Sequence, residues 1–92
     1  MKFLTTWTPR PDTRKQAIDN FLAGKAAPPP GVTTLGRWHK ADGSGGFTLS
    51  EADSAEAMFE SACYWSQFMD LHTVPVIEDA AAGATMTKIY KS

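Results

Sequence analysis

Residues 31–53 read GVTTLGRWHKADGSGGFTLSEAD. Two extended runs, Val32–Lys40 and Phe47–Ala52, flank Asp42-Gly43-Ser44-Gly45-Gly46. Aspartate and glycine supply the backbone angles of a tight reversal at little steric cost. The stretch is therefore a β-hairpin whose second strand runs into the acidic start of a helix. A turn of two or four residues makes paired positions sum to an odd number. Trp38 then shares a face with Phe47, Leu49 and Glu51, and His39 shares the other with Leu35, Arg37, Thr48 and Ser50. A bulge would break this parity.

Working outward, Phe3, Thr5 and Trp7 alternate with Leu4, Thr6 and Thr8, the period of a strand, which Pro9 and Pro11 end. Asp12 or Thr13 caps a first helix, with Gln16 placed to close a capping box on Thr13. Ala17, Ile18, Phe21 and Leu22 form its apolar stripe, and Gly24 follows its end. Ala26–Gly31, with three consecutive prolines, is a stiff connector into the hairpin. Beyond the hairpin, Asp53 caps a second helix, answered by Glu56, that runs to about Met69. Its stripe is Ala55, Met58, Phe59, Ala62, Trp65 and Met69, with Cys63 beside it. Thr73–Ile77 reads as a short extended piece whose Pro75 requires an edge. Ala80–Gly83 reads as a loop, and Thr85–Tyr90 as the closing strand.

The order strand, helix, strand, strand, helix, strand defines an α+β class. It is the ferredoxin-like βαββαβ arrangement, a four-stranded antiparallel sheet with two helices on one face. Two helices cover only one face, so the other is expected to meet a second copy of the chain in a homodimer, sheet to sheet.

Composition narrows the function. The 92 residues make one domain, 1–92, with a core small enough for self-association to be a common remedy. A net charge of -1 gives no basic field to draw nucleic acid or an anionic membrane, so neither partner is expected. No apolar run approaches the roughly 20 residues of a spanning helix. The MKFLTTWTPRP start is too weakly apolar for a signal peptide. With Cys63 as the single cysteine, a reducing cytoplasm is the expected compartment.

Several features carry a resemblance. They are Gly36-Arg37-Trp38-His39 before the glycine turn, Phe47–Asp53 into the second helix, Trp65 within that helix, and Val74-Pro75-Val76 after it. Across most of its length the chain resembles the dimeric α+β barrel superfamily, which includes antibiotic-biosynthesis-type monooxygenases, muconolactone isomerases and stress-response proteins. More narrowly, it is similar to a group of small bacterial proteins classed as a domain of unknown function. The resemblance implies the fold, dimerisation and a pocket between sheet and helices. It does not bring chemistry with it, because related folds host unrelated functions.

The candidate residues follow from side-chain chemistry. Histidine is the side chain whose unperturbed pKa lies near neutrality, so His39 is the first choice as acid, base or ligand. Glu51, on the Trp38 face, would gain a raised pKa if buried there, and is the second catalytic candidate. Trp7, Arg37, Trp38, Tyr64 and Trp65 are the candidate ligand-binding residues, with the aromatics forming a pocket for a planar molecule. His39 and His72 with a carboxylate lack ligand-like spacing, so no metal and no cofactor is expected. The glycine turn lacks the lysine and hydroxyl of a phosphate loop. Cys63 reads as packing. Two classes stand open. One is a homodimer binding a small apolar or aromatic molecule, with cofactor-independent oxidation or isomerisation there. The other is a non-catalytic binding or accessory module.

Overall fold

A computed structural model describes residues 1–91. Strand β1 (Lys2–Pro9) is followed by helix α1 (Arg14–Leu22) and by β2 (Val32–His39) and β3 (Gly46–Ala52). Helix α2 (Ala55–Trp65), β4 (Met69–Val76) and helix α3 (Asp79–Tyr90) complete the chain. The strands form one sheet in the order β2-β3-β1-β4, every adjacent pair antiparallel. This is the ferredoxin-like arrangement with a third helix appended.

The hairpin turns as its residues require. Gly43 takes φ 76°, the Gly43 amide donates to the Lys40 carbonyl, and the Ser44 amide and hydroxyl donate to the Asp42 carboxylate. Trp38 pairs with Phe47 and Arg37 with Thr48, so odd sums hold beside the turn. Between Thr34 and Gly36 the register shifts, which leaves Leu35 as the extra residue of a bulge. Leu35 is consequently 49% exposed instead of joining the His39 face.

Two helix caps differ from the sequence expectation. Thr13 precedes α1, but its hydroxyl donates to the Phe68 carbonyl at 2.7 Å and closes no box with Gln16. Ser54, one residue after Asp53, caps α2 by accepting from the Ala57 amide.

The larger correction concerns the last third of the chain. Helix α2 stops at Trp65, and Met69 opens β4, which pairs with β1 along its whole length. Non-local bonds end the helix there. Arg10 donates through Nη2 to the Ser66 and Gln67 carbonyls and through Nη1 to Asp70, while its amide donates to the Phe68 carbonyl. Met69 is buried as expected, but as a strand residue. The fourth strand is thus Met69–Val76, and Ala80–Tyr90 is helix instead of loop and strand. With β4 already on the free side of β1, a further strand would have to pair beyond Pro75, which has no amide to donate.

Phe3, Ala52 and Met58 form the buried cluster, with Val32 packed against it. Ala17 of α1 is buried as well. Helix α3 buries nothing. Cys63 is exposed, and Phe59 is 69% exposed, because α2 turns Met58, Ser61, Ala62 and Trp65 inward.

Candidate functional site

The inward-facing sheet residues are Phe3, Thr5 and Trp7 of β1, with Thr48 and Ser50 of β3 and Leu71 and Thr73 of β4 opposite them. Over them lie Ala17, Ile18 and Phe21 of α1 and Met58, Ala62 and Trp65 of α2. The two layers do not close. A cavity of about 420 Å³ remains, floored by the threonines and Trp7, with Pro28 and Pro29 of the connector in its wall. Tyr64 helps to prop it. Its hydroxyl donates to Asn20 Oδ1 at 2.7 Å, tying α2 to α1, while its ring meets Trp65 and Phe68 edge to face.

The floor is fixed by its own hydrogen bonds. Trp7 Nε1 donates to Thr48 Oγ1, and the Thr5 and Thr73 hydroxyls lie 3.0 Å apart. Trp7 can lie flat there because position 46 is glycine: a side chain at Gly46 would run into the Trp7 ring and the Trp38 carbonyl.

On the β2 side the cavity carries its charge. Arg37 is half-buried, donates to the Ala26 carbonyl at 3.0 Å and stands over the Phe21 ring. His39 is exposed on the open side, its ring between Trp7 at 5.1 Å and Phe21 at 5.4 Å. Arg14 also lines the space and donates to the Gly43 carbonyl at 2.7 Å, which ties the start of α1 to the hairpin tip.

Of the sequence candidates, the fold gathers His39, Arg37, Trp7 and Trp65 around this cavity. It sends the others elsewhere. Trp38 pairs with Phe47 on the opposite face of the sheet, lying over Gly36 and 56% exposed. Glu51 is on that face too, where the Met1 ammonium binds its carboxylate at 2.7 Å. That contact, with Lys2 nearby, holds the Glu51 carboxyl below its usual value. The rise that burial would have caused is absent, because the carboxylate remains in water at the sheet's end. Tyr64 acts as a strut rather than a lining residue. His72 sits on β4 opposite Thr6, not beyond a helix end, and no group of metal-ligating side chains occurs among the described residues.

Sequence reasoning missed Arg14, Pro28 and Pro29 as cavity residues. Thr48 was legible through strand parity and Phe21 through the α1 stripe. Nothing local announces that a proline connector will wall a cavity.

The sheet order and the two-layered cavity define a ferredoxin-like α+β chain with an interlayer pocket. A family model described as "Domain of unknown function (DUF3303)" matches residues 1–90, and the chain belongs to that family. No curated protein and no solved structure matches it.

Proposed function

We propose that the protein binds a small apolar or aromatic molecule between sheet and helices. The cavity carries this reading: its volume lies within the roughly 300–1,000 Å³ of ligand pockets, and its wall is mainly apolar with a few polar groups. His39 is the one histidine in its lining among the described residues, so a proton transfer there belongs to His39. Isomerisation, or cofactor-independent oxidation with dioxygen as the electron acceptor, is the reaction class we assign to such a transfer. Glu51 takes no part, because the sheet separates it from the cavity. An open cavity beside His39 favours ligand chemistry over a purely accessory module, which would have filled that space. The compartment we assign is the cytoplasm, on the single cysteine.

The test uses N-phenyl-1-naphthylamine, a neutral apolar probe whose fluorescence rises on burial. The wild-type chain binds it, and Ala62→Trp, which fills the cavity from α2, weakens binding at least tenfold. Trp38→Ala, on the opposite face, leaves it unchanged. Binding that responds to Trp38→Ala and ignores Ala62→Trp would overturn the reading.

The same protein, in our reading, is a homodimer joined through the open sheet face. Leu4, Leu49, Phe47, Trp38 and Val74 occupy the middle of that face, with Lys2, Glu51, His72 and Asp70 around them. An apolar centre inside a polar rim is the anatomy of an interface. The accessible surface supports it: 6366 Å², against roughly 5,200 Å² for a compact monomer of this mass. The excess, roughly 1,200 Å², is more than the roughly 800 Å² that each partner hides in a standard interface.

A further inference from the structure

We infer that the ligand of the interlayer cavity is an apolar carboxylic acid, held by its carboxylate at Arg37. The inference rests on the cavity reading above and adds the charge of the occupant. No aspartate or glutamate lines the cavity among the described residues, whereas Arg14, Arg37 and His39 do. The ion pairs among the described residues join Met1 to Glu51, Lys2 to Glu78, Arg10 to Asp70 and Lys15 to Asp19, so neither Arg14 nor Arg37 has an acidic partner. Arg37 stands on the inner face of β2, half-buried, donating to the Ala26 carbonyl and lying over the Phe21 ring.

A guanidinium turned toward an apolar space without a counter-charge is costly, and an anion entering that space relieves the cost. Arginine offers a planar fork of donors that matches a carboxylate two bonds at a time, and Arg37 uses one donor nitrogen on Ala26. Ala26 and Phe21 hold the fork in place, which reduces the ordering cost of binding. The rings of Trp7, Phe21 and Trp65 and the side chain of Met58 then receive the apolar body. A carboxylate fits better than a phosphate ester, because the wall offers few donors to replace the hydration of a dianion.

The test compares three probes of one shape by calorimetric titration: 2-naphthoate, neutral 2-naphthamide and cationic 2-naphthylmethylammonium. The acid binds wild type roughly ten- to a hundredfold more tightly than the amide, the span of a charge-assisted hydrogen bond. The ammonium binds most weakly. Arg37→Met brings the acid down to the amide's affinity and leaves the amide unchanged, while Arg37→Lys falls between. Should Arg37→Met fail to fold, the wild-type ranking and Arg37→Lys still decide. Equal binding of acid and amide to wild type overturns the carboxylate assignment and leaves the apolar-cavity reading standing. Failure of all three probes, and of N-phenyl-1-naphthylamine, overturns both.

Discussion

Adjacent residues of one strand serve opposite ends here. Trp38 and His39 differ by one position, and alternation alone puts the indole on the open face and the imidazole against the cavity. Glu51 is settled by a different neighbour, the Met1 ammonium, which holds its carboxyl below the ordinary 4.5. A folded-state value below the unfolded one adds stability that is present above the unfolded value and lost as pH falls through the folded value. Wild type therefore loses a small increment of stability on acidification below about pH 4.5 that Glu51→Gln does not. Denaturant midpoints for the two proteins between about pH 7 and pH 3 check this, and parallel curves count against the contact. The increment is small because both groups remain in water.

At the level of elements, the join between α2 and β4 is the feature that made the sequence hardest to read. Alanine, methionine and tryptophan at helical spacing continue the α2 pattern as far as Met69, and no glycine or proline interrupts Trp65–Met69. What interrupts it is Arg10, fifty-odd residues away, taking two carbonyls and one carboxylate at the turn. Arg10→Ala should cost about 1–2 kcal/mol, discounted for the partial exposure of the group. It should also raise hydrogen exchange at the Ser66–Met69 amides before the rest of the sheet opens. Exchange that rises evenly over the whole sheet would assign Arg10 a general rather than a local role. Helix α3 follows the opposite logic. Its run of alanines favours a helix by intrinsic propensity, and it forms without burying a residue.

For the whole molecule, shape is the informative quantity. The radius of gyration is 15.6 Å, against roughly 12 Å for a compact chain of this length, and the extents are 53 × 30 × 18 Å. One sheet with a single layer of helices is thin, and α3 packs on none of it substantially. Ile77, Met86, Ile89 and Tyr90 remain exposed, as do Trp38 and Val74 of the open sheet face. A second copy is the occupant we assign to the sheet face. Sedimentation at micromolar concentration should therefore give about twice the chain mass, and Trp38→Arg with Val74→Arg should halve it. Those arginines stand on the face opposite the cavity, so naphthylamine binding should persist in the monomer. A wild-type chain that sediments as a monomer would rule the dimer out.

Local and alternating patterns determined much of this protein without any tertiary information. The first strand, α1, the hairpin, the body of α2 and the separation of Trp38 from His39 all follow from period and turn chemistry, and the ferredoxin-like class follows with its fourth strand misplaced. Those signals act within a few residues, so the chain carries them in plain order. The tertiary structure alone decided where α2 stops, which segment becomes the fourth strand, which face the helices cover and that Glu51 meets Met1 instead of the cavity. Each of these is a competition for hydrogen bonds or burial between segments far apart in the chain. Only the folded arrangement brings the competitors together.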